Sequence, residues 1–495
     1  MSQLSNQCQN ISLSDVFATR TEADRAHRRT KIVCTLGPAS WNVETLVEMM
    51  DAGMDICRFN FSHGDHETHG KALALVKEAQ AQRPHKNIGL LLDTKGPEIR
   101  TGFFRDDLKS IELKKGQDLK IVTDYSFKGD STCIACTYEK LPQTVKPGSQ
   151  ILIADGSLSV EVKEVQKDYV VTTVMNDAKI GERKNMNLPG AKVDLPVCGE
   201  REIKDFLEFG IPNKMHYIAA SFVQCAQDIR DIRQILGEAG KHFKIIPKIE
   251  NQEGLQNFDE ILEECDGVMI ARGDMGMEIP LEKVFLAQKM IIAKCNAVGK
   301  PVIVATQMLE SMISAPRPTR AEVSDVANAV LDGCDAVMLS GESANGQFPV
   351  NAVRMLAHTA LEAESCQDPA ALFRAIHGAT KGEKSVSESV ACAAIEAAAD
   401  VSADVLIVQT LSGNTARLMA KYRSNATVVA VSPCDFTVAQ TTLLRGVIGV
   451  KGETIEDGIA AAKTRGLLKT GDKYVAVHGL TPCPGKSNLM KVLTA

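Results

Sequence analysis

A chain of 495 residues has room for about three domains, and its 44% apolar and 24% charged residues are those of an ordinary globular protein. The formal net charge of −6 gives no reason to expect nucleic acid or an anionic membrane as a partner. No apolar run approaches the roughly 20 residues of a membrane span, and the N-terminal segment lacks the apolar core of a signal peptide. The 14 scattered cysteines predict reduced thiols and a cytoplasmic location.

Short apolar runs alternate with helical patterns from residue 30 onward, after a polar arm over residues 1–29. Runs of this length that end in charge suit parallel strands buried on both faces. The first predicted strands are Lys31–Leu36, Asp55–Phe59 and Asn87–Leu92, and the helices between them are Val43–Met50 and Glu67–Ala81. The segment therefore predicts a repeated β/α unit.

The pattern changes between residues 97 and 193, where short β-rich segments are separated by turn signals. The predicted strands are Leu119–Thr123, Gln150–Ile153, Leu158–Val162 and Tyr169–Val174, with turns at Pro147-Gly148 and Asp155-Gly156. Cys133 and Cys136 lie in this region, but no nearby Cys or His supplies the second ligand pair of a zinc site. We predict a small all-β domain inserted into the α/β unit.

The alternation resumes over residues 194–365. The predicted helices are Glu200–Phe209, Ala226–Leu236, Gly254–Glu263, Leu281–Ala297, Arg320–Leu331 and Pro349–Ala363, and the strands are Tyr217–Ser221, Lys244–Ile249, Gly267–Ala271, Pro301–Ala305 and Ala336–Leu339. With residues 30–96 this makes about eight strands, mostly each followed by a helix, which favours a (β/α)8 barrel over a doubly wound open sheet.

A further open α/β domain is predicted over residues 366–495. Its helices are Val386–Ala399 and Ile455–Leu468, and its strands are Val405–Gln409, Thr427–Ser432, Val447–Val450 and Tyr474–His478. The loop over residues 479–487 is like a Walker A loop, but it has one residue too many between its glycines and two prolines. We predict no catalytic nucleotide site there, and an anion-binding loop remains possible.

Polar side chains follow the predicted barrel strands, and the carboxyl ends of those strands form one face. They are Arg58, Asn60, Asp93, Thr94, Ser221, Lys248, Glu250, Asp274, Thr306 and Glu342. Glu250 and Asp274 offer the hard oxygen ligands that Mg2+ or Mn2+ takes beside substrate phosphates. Lys248 points to the same face of its strand as Glu250. With Arg58, the set favours an anionic substrate whose charge moves during the reaction.

A second group combines neutral oxygens with a single carboxylate, from Asn60, Ser62, Asp93 and Thr94. Such a group suits a monovalent cation. Capping and turn chemistry around Asn60 and Asp93 explains the same residues equally well. From the residues alone both interpretations stay open.

At these residues the sequence closely resembles the pyruvate kinase family, along nearly its whole length from about Thr30. The matching segments are Lys31–Pro38, Arg58–Gly64, Asp93–Arg100, Asn187–Gly190, Lys248–Asn251, Ala271–Asp274 and Ala305–Leu309. The resemblance implies phosphoryl transfer from phosphoenolpyruvate to ADP, giving pyruvate and ATP. It also implies an active homotetramer.

The resemblance assigns roles by position. Glu250 and Asp274 match the divalent-metal ligands, and Lys248 matches the lysine that stabilises charge at the transferring phosphoryl and the enol oxygen. Substrate contacts match Arg58, Lys248, Gly273, Asp274 and Thr306. The potassium site matches Asn60, Ser62, Asp93 and Thr94, and Glu98 stands where K+-dependent members have glutamate. Thr306 acting through a water is the candidate proton donor, with Ser340 and Glu342 supporting it.

The inserted domain and the C-terminal domain also receive roles. Nucleotide contacts match Asn60, Phe61, Ser62, His63, Arg100 and Lys184, so the insert is expected to be a lid that excludes water from the barrel mouth. Thr410, Ser412, Asn414 and Thr415 match a phosphate-binding turn of the regulatory domain, and we expect a phosphorylated allosteric effector there. Ala154 stands where many relatives have a second aspartate, a departure that bears on any lid role of Asp155-Gly156. Ser343, Asn345 and the loop Leu480–Ser487 also depart from the pattern frequent in the family.

Two other functions compete with this interpretation. A metal-dependent pyruvate lyase or aldolase shares a barrel with paired carboxylates, but it has no ADP for Arg100 and Lys184 to hold. A catalytically inactive sensor would bind metabolites through residues 366–495. Intact Lys248, Glu250, Asp274 and Thr306 argue against a sensor.

Overall fold

The computed structural model describes residues 11, 13–20, 28–106, 108–480 and 487–495. Eight parallel strands close into a barrel in chain order, the last pairing with the first. They are Lys31–Thr35, Ile56–Asn60, Gly89–Asp93, Tyr217–Ala220, Lys244–Ile249, Val268–Ala271, Val302–Ala305 and Ala336–Leu339. The predicted (β/α)8 barrel is confirmed, and the open-sheet alternative is wrong.

Helices connect neighbouring barrel strands, because parallel strands need a crossover connection, and two more helices follow the last strand. They are Val43–Ala52, His66–Ala81, Ala226–Leu236, Gln252–Gln256, Phe258–Glu264, Arg272–Glu278, Val284–Val298, Arg320–Asp332, Gly341–Ala344 and Pro349–Ser365. Asn42, Asp65 and Thr319 start three of these helices, each accepting a hydrogen bond from the backbone three residues later. Short polar side chains at strand-to-helix turns thus set where the helices begin.

Three segments differ from the predicted elements. The predicted helix Gly254–Glu263 is two helices, because Asn257 leaves the helical conformation at φ −94° and ψ 15°. The predicted helix near Glu200–Phe209 is an α-helix, Glu200–Lys204, continued by a π-helix, Asp205–Gly210. The helix Arg272–Glu278 was not predicted, since its seven residues show too little apolar periodicity.

The barrel interior is filled with side chains and is not a pore. Val33, Ile56, Leu91, Tyr217, Ala219, Ile246, Met269, Ile303, Ala305, Ala336 and Met338 form one buried cluster. Alternate residues of the same strands, such as Ile32 and Cys34, face the surrounding helices and are also buried. Burying each large aliphatic side chain stabilises the fold by roughly 1.5–3 kcal/mol. The filled interior leaves the strand ends as the place for a site.

The insert between the third and fourth barrel strands is built from two small sheets. Its strands are Ile99–Arg100, Ser110–Leu113, Asp118–Val122, Cys133–Ala135, Gln150–Ile153, Leu158–Val165, Tyr169–Val174, Ala178–Gly181 and Asn185–Asn187. One turn of helix, Leu141–Thr144, interrupts the predicted all-β pattern. The insert has its own buried core, including Ile121, Val160 and Val170.

The C-terminal segment forms a separate five-stranded sheet. Its strands in spatial order are Val447–Lys451, Thr427–Ser432, Val405–Gln409, Lys473–His478 and Leu489–Thr494, and only the last pair is antiparallel. Its helices are Pro369–Ala379, Val386–Asp400, Asn414–Lys421, Asp435–Gln440 and Ile455–Thr464. The first helix and the last strand were not predicted. The overall fold class is confirmed, while the predicted domain boundaries stay predictions.

Buried contacts fix the C-terminal domain to the N-terminal end of the barrel. Leu443 inserts into the barrel's interior cluster, and the Tyr217 hydroxyl donates to the Gln440 carbonyl at 2.8 Å. Arg423 donates to the Asp335 carboxylate at 2.7 and 3.1 Å, with both side chains buried. The opposite end of the barrel stays free for the insert.

A short helix, Leu13–Phe17, lies in the N-terminal arm, whose other residues are only partly described. In the described part of the chain, no helix is both long enough and apolar enough to cross a membrane.

Candidate active site

Lys248 is the centre of a buried charge network at the C-terminal end of the barrel. Its Nζ lies 3.0 Å from Glu250 Oε1 and 3.2 Å from Asp93 Oδ1. It also donates a hydrogen bond to Ser221 Oγ at 2.9 Å. Burial disfavours the ammonium, but the two carboxylates outweigh burial and raise the pKa of Lys248. The lysine is therefore a fixed positive charge.

Arg58 supplies a second fixed cation, at the other carboxylate oxygen of Asp93. Its Nε donates to Asp93 Oδ2 at 2.6 Å, and its Nη1 donates to Thr35 Oγ1 at 2.8 Å. Burial raises the pKa of Asp93, yet Arg58 and Lys248 together lower it below its usual value. Asp93 stays ionised and holds both cations in place from the centre of the barrel mouth.

Glu250 and Asp274 are carboxylates on neighbouring strand ends. Glu250 is fully buried, and its Oε2 accepts a hydrogen bond from the Phe222 N–H at 2.6 Å. Its Oε1 faces Lys248 but accepts no well-aligned hydrogen bond from the described residues. Burial raises the pKa values of both carboxyls, and the charge of Asp274 adds to the effect on Glu250.

These two carboxylates fit a divalent cation. A cation between them would offset the cost of burying negative charge and would use the unsatisfied Glu250 oxygen. Among the described residues, no group of three or more His, Cys, Asp or Glu side chains is arranged to hold a metal. Two carboxylates suit Mg2+ or Mn2+, since such ions keep several positions for water and substrate oxygens.

Thr306 lies on a turn with an unusual backbone. Thr306 and Gln307 have φ angles of +76° and +57°, a left-handed conformation that β-branched residues rarely adopt. Such a conformation costs about 1–3 kcal/mol and persists only where surrounding contacts enforce it. The turn directly follows strand Val302–Ala305, and a Cβ at Gly273, the residue before Asp274, would lie 3.7 Å from the threonine hydroxyl.

Arg272 provides those contacts. Its guanidinium donates to the Thr306 carbonyl at 2.7 Å and to the Ala305 carbonyl at 3.2 Å. Asp325 holds both Nη atoms of Arg272 at 2.7 Å. Gly273 follows, and a Cβ at that position would lie 2.8 Å from Thr306 Cγ2. The Arg272-Gly273 pair thus fits closely against the strained turn.

The predicted potassium residues are brought together by neighbouring strands. Asn60 and Asp93 are register partners, and Asn60 Oδ1 accepts a hydrogen bond from the Ser62 N–H at 3.1 Å. Thr94 Oγ1 accepts from the Ser221 N–H at 3.0 Å. Turn chemistry is therefore present, and the cation assignment stays a prediction.

The predicted nucleotide residues divide between the barrel and the insert. Phe61 is buried, with its ring stacked on His69 at a centroid distance of 4.3 Å, so only its backbone is available to a ligand. His63 is exposed, as is Lys184 in the insert. Arg100 donates to Glu98 Oε2 at 2.6 and 2.8 Å, which places a pair of opposite charges where the insert joins the barrel.

Glu342 is buried behind the site and ties two loops together. Its Oε1 accepts from the Leu309 N–H at 3.0 Å, and its Oε2 accepts from the Ser340 N–H at 2.7 Å. Ser343 Oγ donates to the Thr35 carbonyl at 2.8 Å. These contacts support the loops that follow the last two barrel strands, and neither side chain reaches Lys248.

The predicted effector turn lies in the C-terminal domain, far along the chain from the barrel mouth. Thr410 Oγ1 accepts from the Gly413 N–H at 3.1 Å, and Thr415 shares a 2.7 Å hydrogen bond with Ser487. Ser412 is exposed and Asn414 begins the eight-residue helix Asn414–Lys421. Most of the loop Leu480–Ser487, for which anion binding was considered, lies outside the described residues.

Sequence reasoning missed the residues that organise the site from behind. Arg272 lies in the matching segment Ala271–Asp274 but received no role of its own, because it acts through backbone carbonyls. Asp325 holds its guanidinium and Glu278 contacts the insert, and neither lies in a recognised motif. The only available signal was position, because Arg272 and Glu278 flank Asp274 directly after a barrel strand.

The fold and the site define a (β/α)8-barrel protein with an inserted β domain, a C-terminal α/β domain, and a buried cluster of cations and carboxylates at the barrel mouth. Residues 27–353 match the family model for the pyruvate kinase barrel domain, and residues 388–493 match the model for the pyruvate kinase alpha/beta domain. The chain belongs to the pyruvate kinase family.

Similar proteins agree with this membership over the whole length. A pyruvate kinase of Eimeria tenella is 57% identical, covering 100% of this chain and 94% of the relative. A cytosolic pyruvate kinase isozyme of Glycine max is 45% identical over 98% of this chain and 99% of its own length. The crystal structure of a Cryptosporidium parvum pyruvate kinase has a TM-score of 0.94 at 48% identity, covering 98% of this chain and 100% of that one. The lyase or aldolase alternative finds no support among them.

Proposed function

We propose that this chain transfers the phosphoryl group of phosphoenolpyruvate to ADP, giving ATP and, after protonation of the enolate, pyruvate. Membership of the family makes it a phosphotransferase. The observation that carries the proposal is Lys248, held between Asp93, Glu250 and Ser221 at the barrel mouth. A buried cation with fixed neighbours stabilises charge that moves during a reaction without having to reorganise.

Two cations bind the substrate in this proposal. Arg58 has a guanidinium that suits the planar, bidentate recognition of phosphate or carboxylate. Lys248 is a compact point charge, suited to the bridging oxygen that becomes the enolate. Glu250 and Asp274 would hold Mg2+ or Mn2+, which when bound neutralises charge on the transferring phosphoryl group. The backbone of Gly273 approaches the substrate without a side chain in the way.

Thr306 is proposed to deliver the proton to the enolate carbon through a water. Its hydroxyl can donate and accept, and the Arg272 contacts fix the turn that carries it. Glu342 and Ser340 are proposed to support this proton donor by holding the neighbouring loops in place.

A potassium ion is proposed at Asn60, Ser62, Asp93 and Thr94. The Asp93 carboxylate is the one charged ligand of this set, and its contacts with Arg58 and Lys248 would link the ion to the substrate cations. Glu98 forms an ion pair with Arg100 at the edge of the insert. By family resemblance, a glutamate at this position is typical of members that depend on K+.

The insert is proposed to close over ADP as a lid. Arg100 and Lys184 would contact the phosphates, together with the segment from Asn60 to His63, and closure would exclude the water that otherwise hydrolyses a loosely held phosphoryl group. The domain boundaries proposed for it are residues 97 and 193. Burial raises the pKa of Asp274, and the charge of Asp155, on a turn of the insert, adds to this rise.

Assembly and regulation follow the same resemblance. We propose a homotetramer in the cytosol, where the named Glycine max isozyme is placed. A phosphorylated effector would bind the turn of Thr410, Ser412, Asn414 and Thr415. Such couplings typically change substrate affinity by 1–3 kcal/mol.

The test measures pyruvate formed from phosphoenolpyruvate and ADP with Mg2+, in parallel K+ and Na+ buffers. Activity that requires ADP and rises strongly in K+ is expected. Equal rates in both salts would support the proposed reaction but contradict the proposed potassium site. If neither salt gives pyruvate, even after phosphorylated effectors are screened, the chain is not a catalyst of this reaction and the sensor interpretation replaces the proposal.

A further inference from the structure

Helix Arg272–Glu278 touches both the site and the lid. It carries Asp274 near its start and Glu278 at its end, and residues four apart share one face of a helix. Glu278 Oε1 accepts a hydrogen bond from Asn187 Nδ2 of the lid at 3.1 Å. Burial raises the pKa of this carboxyl, and Asn187 and the nearby Leu188 N–H partly offset the rise. A single barrel side chain thus faces two donors of the lid.

The contact falls where the chain leaves the lid. Asn187 is the last residue of strand Asn185–Asn187, whose neighbour in the sheet is strand Gln150–Ile153. It is buried, and the segment after Leu188 returns to the barrel. A contact at this point lies at the joint between the lid and the barrel and is suited to fix a pivot.

A second contact connects the same helix to the lid. A Cβ at Gly156 would lie 3.1 Å from Met277 Sδ, so the turn between two lid strands rests on the residue before Glu278. Asn185 donates to Asp155 Oδ1 at 2.8 Å, which ties that turn to the strand that ends in Asn187. Both lid contacts therefore converge on the last turn of the helix that begins beside the metal ligands.

We propose that Glu278 is a positioning residue that anchors the pivot of the lid to the helix carrying Asp274. The lid then closes from a fixed starting point, so that its predicted nucleotide-binding residues, Arg100 and Lys184, are aligned with the barrel mouth. Glu278 touches no substrate in this assignment and acts through Asn187 and the helix. The inference rests on the proposed function for the identity of the lid ligand, while the anchoring itself is independent of the reaction.

The first test compares Glu278→Ala, Asn187→Ala and the double variant with the wild type in steady-state kinetics. Loss of one hydrogen bond between the lid and the barrel typically produces an effect of up to about tenfold. We expect the KM for ADP to rise about tenfold in either single variant, with the KM for phosphoenolpyruvate changed much less. The double variant should be no worse than either single variant. Glu278→Gln keeps a carbonyl acceptor for Asn187 and should recover most of the ADP affinity.

Additive effects in the double variant, or an unchanged KM for ADP in Glu278→Ala, would overturn the assignment. Glu282→Ala is the matched control, because Glu282 is exposed four residues further along the chain. A merely structural role of Glu278 would lower the melting temperature without separating the two KM values.

Hydrogen–deuterium exchange separates this inference from the proposed function. Peptides covering residues 185–188 and 272–278 should exchange faster in Glu278→Ala than in the wild type or in Glu282→Ala, whichever reaction the enzyme performs. Unchanged exchange in these peptides would refute the anchor even if the protein forms pyruvate. Faster exchange in a protein that forms no pyruvate would keep the anchor and reject the proposed reaction.

Discussion

Replacement of Lys248 by methionine tests the charge network most directly. Methionine keeps most of the volume of the lysine side chain but carries no charge. The substitution removes the cation that lies 3.0 Å from Glu250 and 3.2 Å from Asp93. Asp93 keeps Arg58 at 2.6 Å, whereas the Oε1 atom of Glu250 loses its only nearby cation among the described residues.

Two separate losses are expected in Lys248→Met. Turnover should fall at least about 10²-fold, because a preorganised group that stabilises moving charge typically contributes roughly 2.7–4 kcal/mol. Breaking a buried ion pair by removing one partner costs about 3–5 kcal/mol of stability. The remaining Arg58–Asp93 pair keeps the cost near the lower end, so the barrel should still fold. Mn2+ should restore part of the stability, since it supplies a positive charge beside Glu250.

The assay combines turnover with thermal unfolding, measured with and without Mn2+. Lys244→Met is the matched control, because Lys244 lies on the same strand and makes a more exposed pair with Asp266 at 3.3 Å. Exposed pairs contribute about 0–1 kcal/mol, so the control should be nearly neutral. Near-normal turnover in Lys248→Met would remove the lysine from its proposed role, and an unchanged melting temperature would refute the argument from the buried pair.

Three further changes test the surroundings of the site. Gly273→Ala adds a Cβ 2.8 Å from Thr306 Cγ2. Overpacking of this kind costs about 1–3 kcal/mol. We therefore expect kcat/KM to fall at least about tenfold in steady-state kinetics. Asp325→Ala removes the carboxylate that accepts hydrogen bonds from both Nη atoms of Arg272. It should lower kcat/KM by about tenfold or more, since hydrogen bonds to charged groups contribute about 1.5–3 kcal/mol.

Burial raises the pKa of Glu278 from 4.5 to about 7, so the folded state retains a proton that the unfolded state loses. The free energy of unfolding should therefore fall as pH rises from about 4.5 to 7. At 1.36 kcal/mol per unit of pKa shift, the fall amounts to up to about 3 kcal/mol. Calorimetry should show no such fall in Glu278→Gln.

Controls separate these effects from general damage. Gly378→Ala changes a helical glycine with open space around its Cβ and should leave kcat/KM unchanged. Glu282→Gln changes an exposed carboxylate and should keep the pH profile of the wild type. Normal kcat/KM in Gly273→Ala or Asp325→Ala would show that the Thr306 turn does not depend on its contacts. A pH profile in Glu278→Gln that matches the wild type would assign the titration to another group.

The sequence predicted the barrel well because its strands are short apolar runs that end abruptly in charge. Lys244–Ile249 and Ala336–Leu339 were predicted with the bounds that the structure shows. The same feature predicted which side chains lie together at the mouth, since all carboxyl ends of a parallel barrel lie on one face. Lys248, Glu250 and Asp93 meet there as expected.

Elements that depend on distant contacts were not predicted. Strand Leu489–Thr494 is almost wholly exposed, so it lacks the alternation of a half-buried strand and exists because Lys473–His478 pairs with it. The left-handed conformation of Thr306 has no local cause, because threonine disfavours it. It results from Arg272, which lies 34 residues earlier in the chain. No window of sequence contains both partners.

The charges of the site explain why metal and substrate belong together. Arg58 and Lys248 face Asp93, Glu250 and Asp274, so with every group ionised the site carries one excess negative charge. That excess is consistent with the raised pKa values of Glu250 and Asp274. Burial opposes the ionisation of both, the charge of Asp274 adds to the effect on Glu250, and other nearby carboxylates add to the effect on Asp274. A divalent cation reverses the sign of the excess and converts a site that repels anions into one that attracts them. The carboxylates proposed to hold the metal would thereby make the affinity for a phosphorylated substrate depend on the metal. Lys248 would contribute to both, because it contacts Glu250, a proposed metal ligand, and is itself a proposed substrate cation.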